Sequence, residues 1–335
     1  NKNININYKM KICVCMVLIA VAQFALLAMS SSSVYRTGAE AKVTFRIVDE
    51  EQRPVSNAVA HVWFCSNDFH QNDADWEEVS GAAGLITVTH KTNYKLVCRI
   101  SKDGYYESKD TIVFPKREGE KLNVVDGKWQ PYGEMRTVVL KRMRKPQDML
   151  GPAWPPQRKI KFYDIWLGFD LEKGDFVPPV GNGCESDMFV RFHLAGEMPY
   201  DWSIRMDVTF TNYPYAGAYR LKMDDWSDMK SVYQADTNAN YVSELTFRYA
   251  REKGNRRPIV EKLEKDEYLV FRTRTKVDRE GKLQSARYGK LYGPWNFEDA
   301  GGSQIYKVFL NAKDNDVNLE DMWTIETAKK YRRDH

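Results

Sequence analysis

Residues able to do chemistry are present, but their spacing matches few reactions. The five histidines are His61, His70, His90, His193 and His335. None lies in an HExxH segment or at another paired spacing, as a hydrolytic zinc site built on one helix would need. "GGSQI" (Gly301 to Ile305) lacks the second glycine of a nucleophile elbow and leads into a strand pattern, not a helix. "GNG" (Gly181 to Gly183) also precedes a strand pattern, the wrong context for a dinucleotide loop. Carboxylates are plentiful, yet glycoside hydrolysis needs two of them facing each other across a cleft, a relation that spacing does not encode.

A hard cation is the next chemistry to weigh. "DNDVNLED" places Asp314, Asp316 and Asn318 at alternate positions, the way a loop presents oxygen ligands to calcium. Leu319 stands where an EF-hand places glycine, and Ile325 where it places a bidentate glutamate. The same three residues read as an Asx-rich turn following "IYKVFLN". "NDADWEE" is a second acidic cluster, read as solvated. No cofactor is expected.

Aromatic residues carry the remaining signal. Tyr213, Tyr215, Tyr219, Trp226, Tyr233 and Tyr241 are interleaved with Asn, Asp, Gly and Ser, not with aliphatic partners at a strand period. Tyr213 and Tyr215 flank Pro214, which stiffens the backbone between them. Trp226 sits among Asp224, Asp225 and Asp228. Tyr213, Tyr215 and Trp226 are therefore candidates for a ligand-binding surface, against the alternatives of loop-core packing and a protein contact.

The elements that must position these residues are strands. "KVTFRIVD" sets Val43, Phe45 and Ile47 against Lys42, Thr44 and Arg46, and "YKLVCRI" and "MRTVVLKR" repeat the habit. In the second half, "DWSIRMDVTF" places Trp202, Ile204, Met206, Val208 and Phe210 on one face and Ser203, Arg205, Asp207 and Thr209 on the other. "DMFVRFHL", "SELTFRYA", "EYLVFRTRTKV" and "QIYKVFL" alternate in the same way. Period-two patterning predicts an all-β fold of two antiparallel β-sandwich domains, the second sandwich-like or a jelly roll. The break falls at "MRKPQDMLGPAWPPQR", whose Pro146, Pro152, Pro155 and Pro156 predict an extended, semi-rigid linker over residues 143–158. The domains are then 41–142 and 159–330.

The ends set the compartment. Lys9 and Lys11 precede an apolar run of 17 residues, Ile12 to Ala28, and "AMSSSS" follows. These are the parts of a secretory leader over residues 1–33, with Met10 read as its start. The run is short against the roughly 20 residues that span a bilayer, so a membrane contact would come only through an uncleaved leader. Losing residues 1–30 removes three lysines and lowers the net charge from +4 to +1. A nucleic-acid partner is not expected of so balanced a surface. Cys65, Cys98 and Cys184 remain, and a Cys65–Cys98 disulfide is one candidate beside two buried thiols.

One stretch points to a family. "DEEQRPVSNAVAHVWF" (Asp49 to Phe64) is a charged turn ending at Pro54, then a strand of small and β-branched residues. "GAAGLITVTH" (Gly81 to His90) and "YKLVCRISKDGYYES", with its Gly104-Tyr105 pair, follow in order. Residues 41–142 resemble the carboxypeptidase regulatory-like, or transthyretin-like, β-sandwich family. They depart from it in the long insert "CSNDFHQNDADWEEVSGAAG". The resemblance implies a non-catalytic accessory domain of an exported protein, acting as a spacer or contact surface. The expectation is thus a periplasmic, secreted or cell-surface accessory protein contacting other proteins. A carbohydrate-binding protein using exposed aromatics and a hydrolase on an unfamiliar sandwich remain the alternatives.

Overall fold

The computed structural model describes residues 34, 37–65, 72–114, 123–151, 158, 161–197, 201–212, 214–224, 226–255, 257–294 and 307–322. The leader over 1–33, with its Met10 start, and Tyr213 lie outside the described residues. The chain divides into two compact units, 1–142 and 143–335. Both are built from strands in antiparallel-rich sheets, an all-β fold. No described helix is long and apolar enough to cross a membrane.

The first unit holds β1 (Ala39–Asp49), β2 (Val59–Cys65), β3 (Asn72–Val79), β4 (Leu85–Thr92), β5 (Lys95–Ser101), β6 (Ser108–Val113), β7 (Val124–Val125), β8 (Lys128–Trp129) and β9 (Glu134–Leu140). One sheet pairs β4 with β1, and β1 in turn with β8 and β9; the other runs β3-β2-β5-β6. Phe45, Ile47, Val62, Phe64, Leu96 and Ile100 are fully buried between them, as alternation requires. The charged turn after β1 is held by Asp49, whose carboxylate accepts from the amides of Glu51 and Arg53 and from Arg53 Nε at 2.8 Å. Gly84 packs so closely on this turn that a Cβ would stand 2.4 Å from the Ile47 carbonyl, and its φ of +69° suits glycine. The insert is not a loop throughout. Its "NDADWEEV" is β3, an edge strand on β2, with Trp76 stacked on Phe64 at 5.5 Å.

The second unit holds β10 (Trp166–Asp170), β11 (Asp175–Phe176), β12 (Met188–Glu197), β13 (Asp201–Phe210), β14 (Gly217–Lys222), β15 (Glu244–Arg251), β16 (Ile259–Glu261), β17 (Glu267–Val277), β18 (Leu283–Tyr292) and β19 (Val308–Leu310). A six-stranded sheet runs β11-β10-β12-β13-β15-β16, and a four-stranded sheet runs β14-β17-β18-β19. Phe192, Ile204 and Phe247 of the larger sheet share one core with Phe271, Leu291 and Leu310 of the smaller. The smaller sheet buries its other face too: Tyr268, Val270, Ala286 and Tyr288 pack under Ala235, Tyr241 and Leu319.

The proline-rich segment is, in its described part, knitted into this unit. The Arg144 and Lys145 amides donate to the Glu320 carboxylate at 2.9 and 2.7 Å, and Leu150 pairs with Leu310. Pro152, Pro155 and Pro156 lie outside the described residues.

Candidate functional site

The outer face of the six-stranded sheet gathers the polar half of the alternating strands. Register fixes one row across four strands: Trp166 on β10 opposite Arg191 on β12, Arg191 opposite Asp207 on β13, and Asp207 opposite Thr246 on β15. Cross-strand partners share a face, so these side chains stand side by side. The Arg191 guanidinium lies 4.3 Å from the Trp166 ring centroid, within cation–π range. Its Nη2 donates to Asp207 Oδ2 at 3.3 Å.

Asp207 is the hub of the row. It also receives Arg205 through Nε at 3.2 Å and Thr246 Oγ1 at 3.2 Å, and faces His193 Nε2 at 2.9 Å. The other ring nitrogen of His193 lies 2.5 Å from Asp164 Oδ1. Burial pushes the Asp207 carboxyl up, but His193, Arg191 and Arg205 outweigh it and hold the group below its ordinary range. A carboxylate so engaged is a poor proton acceptor at neutral pH and a good anchor for orienting cations. Trp166 is 42% exposed, and Phe189, two residues before Arg191 on the same face, is 37% exposed. The arrangement is an aromatic patch bordered by a pre-paired network of charges.

Of the residues expected to bind, Tyr215 and Trp226 lie beyond opposite ends of β14. Tyr215 follows Asn212 in a turn, where its carbonyl accepts from Arg272 Nε at 2.6 Å and its hydroxyl lies by Gly281. Trp226 is 37% exposed, in a loop beyond the other end of β14. The six residues of β14 separate the two by about 20 Å along the strand. Tyr219 and Tyr241 pack edge-to-face at 5.1 Å in the core on the outer face of the smaller sheet. Tyr241, with Tyr219 partly buried against it, therefore helps to cover a second apolar sheet face.

The acidic loop is engaged within the protein. Asp314 pairs with Arg287 at 3.0 Å, Asp316 Oδ1 accepts from the Asn318 amide at 3.0 Å, and Asn318 Oδ1 accepts from the Glu320 amide at 3.2 Å. Asp316 and Asn318 thus form successive Asx turns whose oxygens face backbone amides, while Asp314 faces a guanidinium, so the three do not point at a common centre. No group of three or more His, Cys, Asp or Glu side chains placed to hold a metal ion occurs among the described residues.

The disulfide expectation is corrected. Cys65 pairs with Lys95 and Cys98 with Val62 on the β2–β5 ladder, three residue pairs apart. That is about 10 Å along the strands, beyond the reach of a disulfide. Both are buried thiols, whereas Cys184 is exposed.

The alternating patterns of β12 and β13 already set Arg191, His193, Arg205 and Asp207 apart from the core residues. What they lacked was Trp166, whose place beside Arg191 depends on the β10–β12 register.

No family model matches the chain, and no curated protein matches it. Among solved structures, it is similar to 3-chlorocatechol 1,2-dioxygenase from Rhodococcus opacus 1CP, at 14% identity over 32% of this chain and 61% of that one, with a TM-score of 0.24. The chain thus spans less than two thirds of that dioxygenase. It is also similar to BcpA, the major pilin subunit of Bacillus cereus, at 12% identity over 84% of this chain and 95% of that one, with a TM-score of 0.22. The shaft pilin SpaA from Lactobacillus rhamnosus GG matches at 10% identity over 81% and 94%, with a TM-score of 0.21.

Proposed function

We propose that the protein is an exported, non-catalytic accessory protein that binds another protein through the outer face of the six-stranded sheet. In this reading the first unit is a transthyretin-like spacer, and the apolar run behind Lys9 and Lys11 is the export leader. The observation that carries the binding reading is the row Trp166–Arg191–Asp207 with Phe189 beside it. Exposed Trp and Arg are the side chains that most often concentrate binding energy at protein interfaces. Arg191 is already held between an indole and a carboxylate, so less side-chain entropy is lost when a partner docks. The saturation of Asp207 by four donors speaks for recognition and against acid–base work.

A glycan ligand is the second reading. It rests on the same indole with the more exposed Asp164 and Arg205 near it as hydroxyl partners. The test is retention of host surface proteins and of a glycan panel on immobilised wild type and on a Trp166→Ala/Arg191→Ala variant. The proposal expects a defined protein retained by wild type and lost by the variant, with the melting temperature little changed. Retention of a glycan alone, equal retention by both forms, or turnover of a substrate would overturn it.

A further inference from the structure

Among the described residues of the second unit, Lys290 is the most deeply buried cation, with a side chain wholly shielded from solvent. It lies on β18 between Val270 of β17 and Phe309 of β19, and points to the face covered by the 223–241 and 317–321 segments. Its Nζ is 2.6 Å from Asp321 Oδ2 and 3.1 Å from Ser231 Oγ. Asp321 is 1% exposed. The rings of Phe309 and Tyr292 stand 5.3 and 5.5 Å from the amine, and the Tyr292 hydroxyl bonds both Lys290 and Ser231. An amine and a carboxylate are thus held together in a dry, largely aromatic chamber.

Two charges in such a chamber lose their hydration, and their attraction repays that loss only in part. Burial pulls the Lys290 amine down, while Tyr292 and Asp321 hold it above its ordinary range. The resting pair is therefore ionic, and its neutral form arises by passing one proton across the contact between them. That neutral form, amine against carboxylic acid, is the reactive pair for amide formation.

We propose that Lys290 and Asp321 join in an intramolecular amide that covalently fastens the 317–321 segment to the central strands of the smaller sheet. The ammonium proton passes to Asp321 Oδ2, and the freed Nζ lone pair attacks Cγ. A second Nζ proton reaches the departing hydroxyl through the Ser231 and Tyr292 hydroxyls. The Cγ–O bond breaks and one water leaves, with no change of oxidation state and no co-reactant. The chamber orients the two groups, excludes competing water and, by burial, opposes the reverse hydrolysis. With Cys65 and Cys98 too far apart to bridge, such a link gives the fold a covalent staple that does not depend on redox conditions. The inference is independent of the proposed binding face.

Peptide mass mapping of the full-length protein tests it. An amide at Lys290 blocks trypsin there, so residues 288–307 should be recovered joined to residues 314–329, lighter than their sum by one water. Lys290→Arg and Asp321→Ala should each abolish this branched peptide. Linear peptides of full mass at both positions would overturn the proposal. So would a branch through Lys307, the other amine near Asp321.

Discussion

Trp166 and Trp226 are almost equally exposed, at 42% and 37%, and Trp166 has a charged neighbour, Arg191, fixed against its ring on a sheet face. Sequence drew attention to Trp226 because its neighbours are acidic, and such local polarity says only that a residue is near solvent. The partners of Trp166 come from strands β12 and β13, more than twenty residues downstream, so no local window could reveal them. The thiols follow the same logic. Burial pushes the Cys98 thiol up to about 12, so little reactive thiolate exists at neutral pH. Protein lacking residues 1–33, and with them Cys13 and Cys15, should react with a disulfide reagent at Cys184 alone, and its three thiols should titrate after denaturation without reductant. Fewer than three titrating thiols would mean a bridge that the β2–β5 register excludes.

At the level of elements, strand positions were legible wherever inward and outward residues alternate, as in β1, β5, β12 and β13. Strands apolar on both faces were harder to read. β17 begins with five consecutive buried residues because the smaller sheet packs on both sides, and that is also why Tyr219 and Tyr241 turned inward. The core between the two sheets leaves no room at β18, where a Cβ on Gly289 would stand 2.2 Å from the Phe271 ring and 2.4 Å from the Phe309 carbonyl. Gly289→Ala should destabilise the second unit by about 1–3 kcal/mol, measured by denaturant unfolding. A neutral result would mean that the two strands separate more readily than their packing implies. Arg274 ties the two sheets together, reaching Glu172 at 2.6 Å and Asp187 at 3.0 Å from a backbone φ of 49°. Its partners lie some ninety to a hundred residues upstream, a distance at which charge patterning in sequence is silent.

For the whole molecule, two sheet pairs around separate cores follow from the patterning, while the choice of the proposed binding face does not. Asp49 in the first unit, and Asp175 and Asp207 in the second, all fall below the ordinary carboxyl value of 3.8: burial opposes this, but hydrogen bonds and cationic neighbours prevail. A carboxyl depressed in the folded state stabilises above its unfolded value and loses that contribution as pH falls through its folded value. The melting temperature should therefore hold between neutrality and about pH 5 and drop below about pH 4. Stability that rises on acidification would contradict these pairings. The binding face is tested most directly by calorimetry with the protein partner recovered on the immobilised wild type. The account predicts that Trp166→Ala weakens binding at least about tenfold, a loss of about 1.4 kcal/mol, while Trp226→Ala leaves it unchanged. Unchanged affinity in Trp166→Ala with loss in Trp226→Ala would contradict it.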